Sequence, residues 1–108
     1  MTEAQLLDYL TRDVAWFELY AYTIILQVQV FIYQRKFSEA ISMTSLCVSL
    51  LQSDKLNRLH GYDMKDYIAW LWFNLKGFLI TIAMRQSQPI QSLVDKGMHC
   101  SNLRLLVN

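Results

Sequence analysis

The twenty residues from Val14 to Tyr33 constrain the fold more than any other part of the chain. The run reads VAWFELYAYTIILQVQVFIY and contains one charged residue, Glu18. At 100° per residue, Glu18 and Gln29 share one face of the predicted helix, whereas Gln27 lies on the opposite face. A helix that is apolar on nearly every side is buried in protein or in lipid. The many β-branched and aromatic residues also permit a strand here.

A short polar hinge, residues 33–40 (YQRKFSEA), separates this run from the next one. Its polar break ends in Phe37, which is followed three places later by Ala40. A polar break that leads into an aromatic residue and then a small one is typical of the antiparallel helix pairs of helical repeats. We therefore expect a helix pair that closes on Phe37 and Ala40.

Residues 38–53 form the clearest predicted helix. Its polar side chains fall within about 100° of arc on a 3.6-residue period, and they are Ser38, Ser42, Ser45, Ser49, Gln52 and Ser53. The opposite side is apolar and carries Ala40, Met43, Cys47, Leu50 and Leu51. This serine stripe has two interpretations. It faces solvent, which we favour, or its small side chains allow another helix to approach closely.

Capping residues mark where other helices begin. Thr2, with Gln5 three residues later, predicts a capping box at the start of a short helix. Residues 54–63 are largely polar and predict a loop. Asp63 then caps a helix that extends to about Met84.

The C-terminal part contains a short helix and an apolar tail. Pro89 is tolerated in a first helical turn, and Gly97 ends the helix that begins there. Two helix pairs therefore fit the chain, roughly 14–53 and 64–96. The tail, 103–107, is apolar although a free terminus is normally polar. We expect it to dock on a neighbouring chain, or the chain to be a piece of a longer helical array.

Composition and spacing disfavour several classes of function. Ten basic and nine acidic residues give a net charge of +1, without the clustered positive field that nucleic-acid binding requires. Cys47 and Cys100 have no metal-ligand spacing and are typical of reduced thiols in an intracellular protein. The neighbours His99 and Cys100 would point about 100° apart on a helix and rarely chelate one ion together. We predict a non-enzyme with no catalytic residue, cofactor, metal site or small-molecule substrate.

Glu18 is unusual because it lies inside an apolar helix. A carboxylate there must find a partner or become protonated. We expect an ion pair with a basic residue of a neighbouring helix, and the candidates are Arg35, Arg58 and Lys76.

The second long helix is rich in aromatic residues. Trp70 and Trp72 are about 200° apart on a helix, so one faces the core and the other is a candidate anchor for a partner. We expect Trp70, Trp72 and Phe73 to mark where the second helix pair packs.

A membrane hairpin with spans at 14–33 and 67–84 is the main alternative. The first segment is long enough to cross about 30 Å of hydrocarbon. Each charge such as Glu18 or Lys76 costs about 2.5–3.5 kcal/mol near the middle of a span. The one-sided helix between the two segments is typical of a layered soluble fold, although it also suits a membrane surface. We therefore consider a membrane protein the less favoured reading.

Three segments resemble a known family. They are residues 18–22 (ELYAY), residues 34–40 (QRKFSEA) and, with a one-residue gap, residues 68–73 (IAWLWF). Together they resemble the helical-repeat (PCI) scaffold subunits of the proteasome lid, in which an acidic–aromatic–aliphatic helix leads to a Lys-aromatic-x-Glu-Ala turn. The resemblance covers residues 14–84. It implies a non-catalytic scaffold in the cytoplasm or nucleus, with other subunits of a large complex as partners.

These observations predict one all-α domain over residues 1–108. Four to five helices would stack as antiparallel pairs in a short right-handed solenoid of tetratricopeptide type. The residues expected to matter for structure and interaction are Phe37, Ala40, Trp70, Trp72, Phe73 and Glu18. The lid subunits end in a winged-helix module that a chain of this length does not hold, so we expect a fragment or a reduced form of such a subunit.

Overall fold

The computed structural model of this protein is all-α, as the sequence predicts. It describes residues 2, 4–5, 14–52, 64–96 and 101–107, and these residues include no strand. The three long helices are α1 (Val14–Tyr33), α2 (Phe37–Leu51) and α3 (Met64–Arg85). Two short helices follow, α4 (Ile90–Lys96) and α5 (Arg104–Val107), and a 3-10 turn (Ser101–Leu103) leads into α5. The arrangement as a solenoid stays a prediction.

The expected capping box is present at the N-terminus. The Thr2 backbone N–H donates to the Gln5 side-chain Oε1 at 2.9 Å, and the Gln5 N–H donates to the Thr2 Oγ1 at 3.1 Å. This reciprocal pair satisfies two backbone donors that a helix start leaves without an intrahelical partner.

The helix α1 ends at the hinge because the backbone turns left-handed at Arg35, where φ is 60°. The Lys36 N–H donates to the Phe31 carbonyl at 2.8 Å, and the Arg35 N–H donates to the Ile32 carbonyl at 3.0 Å. This pair of bonds is the Schellman closure, which usually employs glycine at the left-handed position. The helix α3 ends in the same way, with Ser87 at φ 52°.

The helices α1 and α3 lie side by side and run in the same direction. Near their starts, the Phe17 ring packs edge-on against the Tyr67 ring, with centroids 6.2 Å apart. Near their ends, Tyr33 and Arg85 line one groove. Within the hinge, a turn of three residues, 34–36, returns α2 antiparallel to α1, and α2 contacts both neighbours. The long helices therefore form an up–down–up bundle within a molecule of 43 × 27 × 24 Å.

The core lies between the three long helices. Its fully buried members include Phe17, Ile24, Val28, Ala40, Val48, Leu71, Leu75, Leu79 and Ile82. Burial of each large apolar side chain contributes roughly 1.5–3 kcal/mol to folding. Thr44 is also fully buried, and its hydroxyl donates to the Ala40 carbonyl at 2.8 Å, so it places no unpaired polar group in the core.

The C-terminal tail packs on its own chain. Leu103 and Leu106 belong to the core, and the tail contacts both α2 and α3. The Asn102 amide nitrogen donates to the Ser45 carbonyl at 2.9 Å and to the Ser49 hydroxyl at 2.8 Å, while its oxygen accepts from the Ser45 hydroxyl at 2.7 Å. The expectation that the tail docks on another chain is wrong for both leucines, because they fill space beside α2 and α3.

The hydrogen bonds of Asn102 cover only the second half of the serine stripe of α2. Ser38 and Ser42 are exposed, as the solvent interpretation predicts, whereas Ser45 is buried and Ser49 is half-buried. The second half of the stripe therefore follows the alternative interpretation, in which small side chains allow a neighbouring segment to approach.

Substitution of Ala40 by Trp is expected to destabilise the fold. Ala40 is fully buried where α2 leaves the hinge, and an indole there overfills the contact by about 1–3 kcal/mol. Urea denaturation measures the change, and Ser42→Trp on the exposed side of the same helix is the control. An unchanged midpoint for Ala40→Trp would contradict this packing.

Substitution of Asn102 by Ala is expected to loosen the tail. It removes three hydrogen bonds and leaves the buried Ser45 hydroxyl without its acceptor, so we expect a loss of about 1–3 kcal/mol in the free energy of unfolding. Arg104→Ala, at an exposed position, is the control. If both variants unfold at the wild-type urea concentration, the tail does not stabilise the bundle.

Candidate interaction surface

The helix α1 carries a row of exposed apolar side chains along its whole length. They are Leu19, Tyr22, Leu26, Val30 and Tyr33, and we call them the α1 stripe. At 3.6 residues per turn they fall within about 80° of arc. The buried residues Ala21 and Val28 lie on the opposite side of the helix. The core thus covers one side of α1 and leaves the other open.

The helix α3 has a similar row, the α3 stripe, formed by Trp70, Phe73, Ile80 and Met84. Gly77 lies in the same row, and a Cβ atom placed on it would meet nothing within 4 Å. The intervals between these five positions are three, four, three and four residues, the spacing by which one helix presents a continuous seam to another.

Aromatic contacts join the two stripes near the starts of α1 and α3. The Tyr22 and Trp70 rings are stacked, with centroids 6.5 Å apart and planes inclined by 12°. The Tyr67 and Trp70 rings are also stacked, with centroids 5.7 Å apart. Such pairs contribute about 0.5–1.5 kcal/mol beyond the area that they bury. The stripes therefore form one continuous surface, in which stacked aromatic rings connect α1 to α3.

Charged side chains lie mainly at the two ends of this surface. Between residues 19 and 34 the sequence contains no charge, and α3 has only Lys76 between Asp66 and Arg85. Among the described side chains, one end holds Glu18 and Asp66, and the other holds Arg35, Lys36, Arg85 and the acidic Glu39. A partner that covers the middle would therefore desolvate few charged groups, which is the distribution expected at the centre of an interface.

Glu18 is half-buried beside α3, but two of its three expected partners do not fit. The Tyr67 hydroxyl donates to the Glu18 backbone carbonyl at 3.1 Å, which fixes the level of α3 at this point. Arg35 follows the same helix seventeen residues later, about 25 Å along the axis. Lys76 lies about 13 Å further along α3 than Tyr67. Arg58 lies outside the described residues.

The hinge residues occupy the ends of the α1–α2 turn. Ala40 is fully buried, and Phe37 is half-buried against the core. The Arg35 guanidinium carbon lies 5.7 Å from the centre of the Phe37 ring, in a cation–π contact. Phe37 thus packs against the core and also contacts the Arg35 guanidinium through its ring.

The three aromatic residues of α3 have different positions. Trp72 packs against the core, whereas Trp70 is 41% exposed and packs on α1 through Tyr22. Phe73 is 78% exposed, so the expectation that it packs the second helix pair is wrong. The reason is rotational: the buried Leu71 and Leu75 are each two residues, about 200°, away from it.

Cys47 has the environment of a structural thiol. It is buried in the core of α2, and burial raises the pKa of its thiol from 9.0 to about 12. A thiol that stays protonated at neutral pH is a poor nucleophile. The described residues contain no group of three or more His, Cys, Asp or Glu side chains that could hold a metal ion. His99 and Cys100 lie outside them.

The pKa of the Tyr67 hydroxyl is also raised. Burial, and then the nearby negative charge of Glu18, raise its pKa from 10.0 to about 12. Its hydrogen bond to the Glu18 carbonyl requires the protonated form. Tyr67 therefore acts as a neutral donor that ties α3 to α1.

Comparisons with protein-family models, with curated proteins and with solved structures give no match. The resemblance to the lid scaffold subunits therefore stays a prediction.

One helix among the described residues is long and apolar enough to cross a membrane, by length and composition alone. It is the segment Asp66–Arg85 of α3. About a third of the residues in its most apolar stretch are buried inside the protein. The side chains of α1 that the structure describes, in the stretch Phe17–Tyr33, are also mainly apolar.

We expect the protein to lose stability above about pH 9. In the unfolded chain the thiol of Cys47 and the phenol of Tyr67 titrate near 9.0 and 10.0, whereas in the folded state both pKa values are about 12. Between these values the unfolded chain releases protons that the folded protein retains, so rising pH favours unfolding. Urea denaturation between about pH 7 and pH 11 measures the effect.

The variant Cys47→Ala is the matched control for this pH dependence. It should begin to lose stability at a higher pH than the wild-type chain, because only the phenols then remain, those of Tyr67 and of Tyr20, whose pKa burial also raises. A wild-type midpoint that stays constant up to about pH 11 would contradict the buried positions of both groups.

Proposed function

We propose that this protein is a non-catalytic helical scaffold that binds other protein subunits through the joined α1 and α3 stripes. The observation that carries the proposal is the continuous row of exposed apolar side chains on two parallel helices. Apolar patches of this kind on a small protein mark interaction sites.

The character of the surface supports a protein partner. It contains Tyr22 and Trp70, and Tyr and Trp are among the residue types that most often dominate binding energy at interfaces. Their rings already stack on each other, so little side-chain freedom is lost when a partner covers them. The core beneath α1 and α3 holds the two rows in fixed relative positions.

A complex of proteasome-lid type is the more specific form of this proposal. It is supported by the resemblance of residues 18–22, 34–40 and 68–73, which fall on α1, on the hinge and on α3. A cytoplasmic or nuclear location belongs to the same proposal.

A membrane hairpin is the second candidate function. It is favoured by the length and apolar character of Asp66–Arg85 and by the exposed Ile80 and Met84. One observation disfavours the hairpin: the other side of α3 packs on the tail and on α2. These two elements are joined by a polar contact, in which the Ser45 hydroxyl of α2 donates to Asn102 of the tail. The apolar exposure is thus one-sided, which suits an interface with protein.

Replacement of Leu26 by Arg is expected to abolish the capture of partner subunits. Leu26 is the middle residue of the α1 stripe, and a guanidinium there must be desolvated when a partner binds. Affinity purification of the full tagged chain from detergent-free extract, followed by mass spectrometry, measures the effect. Ser42→Arg, on the exposed face of α2, is the matched control and should retain the partners.

Three other outcomes would count against parts of this proposal. The same set of proteins with both variants would contradict binding through the stripes. Recovery only from carbonate-washed membranes would favour the hairpin. A reproducible partner set that is lost with Leu26→Arg but lacks lid subunits would remove the lid assignment alone.

A further inference from the structure

The α1 stripe is symmetric in its spacing. Its five members follow one another at intervals of three, four, four and three residues, with Leu26 at the centre. The row therefore has the same spacing whichever end of α1 it is read from. A surface that contacts an identical surface across a two-fold axis requires this kind of self-complementarity.

An antiparallel pair of α1 helices matches apolar residues along its entire length. With Leu26 of both copies on the two-fold axis, Leu19 of one copy lies opposite Tyr33 of the other. In the same pairing Tyr22 lies opposite Val30. Each contact thus joins two side chains that are exposed in the single chain.

The charges select this direction of pairing. Glu18 precedes the stripe, and Arg35 and Lys36 follow it. Antiparallel helices place the acidic end of one copy beside the basic end of the other, whereas parallel helices place like charges together. The helix α3 adds a basic residue, Arg85, at the same end as Arg35, whereas its first turn carries both Lys65 and Asp66 and is neutral. Complementary charge fixes the orientation of an interface more than it adds affinity.

We propose that the α1 stripe binds a second copy of this chain, with the two α1 helices antiparallel and the two-fold axis at Leu26. This inference rests on the proposed function in one respect, that the stripe is covered by protein. It adds the identity of the partner on α1. Other subunits then bind the assembled dimer, in which the α3 stripe stays accessible beside the paired α1 helices, so Leu26→Arg is expected to lose both the dimer and these subunits.

Disulfide trapping tests the position of the axis. In a Cys100→Ser background, Leu26→Cys places two thiols on the axis and should form a covalent dimer under mild oxidation. Leu19→Cys is the matched control. Its two copies would lie about 21 Å apart along the axis, beyond the Cα separation of about 7 Å that a disulfide tolerates. Equal trapping of both variants, or trapping of Leu19→Cys alone, would overturn the proposal.

A charge exchange tests the direction by a measurement that does not depend on thiols. Glu18→Arg and Arg35→Glu should each weaken the dimer roughly two- to fivefold, as expected for ion pairs at the rim of an interface, and the double variant should restore it. Light scattering of the full chain measures the dimer, and circular dichroism checks that each variant is folded. A double variant weaker than both single variants would contradict antiparallel pairing.

Failure of this inference can be told apart from failure of the proposed function. A wild-type mass of 12.7 kDa at every concentration, with other subunits still lost in Leu26→Arg, removes the self-association and leaves the scaffold function. A 12.7 kDa mass with no subunit lost in that variant removes both. Binding of the monomer to phosphatidylcholine vesicles, abolished by Leu26→Arg, overturns both in favour of a lipid surface.

Discussion

The structure depends on one imbalance: α1 is apolar on nearly every side, and the other described helices cover only one side of it. The helices α2 and α3 pack against Ala21, Val28 and their buried neighbours. No other described element lies over Leu19, Leu26 or Val30, which stay exposed. In a chain of 108 residues the buried fraction of the surface is limited. An uncovered apolar row is therefore the direct result of the composition of this helix.

The remaining contacts hold that row in place. The Tyr67 hydroxyl ties α3 to α1, and the stacked rings of Tyr22 and Trp70 join the two exposed rows. On the other side of the bundle, Asn102 binds the second half of the serine stripe and allows Leu103 to fill the core. The tail thus completes the support on which the exposed surface is built.

Much of the fold could be predicted from the sequence because its signals are local. The bounds of α1 coincide with the predicted run, and the capping box of Thr2 and Gln5 is formed as expected. The hinge also ends α1 where predicted, although the left-handed residue is Arg35 and no glycine marks it. These features depend on neighbours within a few residues, so a single sequence is sufficient to find them.

The exposed surface was harder to predict, and the reason is physical. An apolar side chain carries no sign of whether the chain itself buries it, so Leu26 and Val28 look equivalent in sequence while one is exposed and the other is buried. The same ambiguity led to the expectation that Phe73 packs the second helix pair, whereas its side chain is exposed. The pairing of Asn102 with Ser45 spans 57 positions and has no local signal. The spacing of Leu19, Tyr22, Leu26, Val30 and Tyr33 is visible in sequence, but it acquires meaning only once the opposite side of α1 is known to be occupied.

Oxygen and nickel-chelate accessibility of a spin label at Val30 in the full, assembled protein tests most directly what covers α1. Val30 lies in the exposed row and points away from the core. If another protein surface covers the row, the label is shielded from both the apolar relaxing agent and the polar one. High oxygen accessibility with low nickel accessibility would show that lipid covers it, and high accessibility to both would show that α1 faces water; either result would contradict a protein-covered helix.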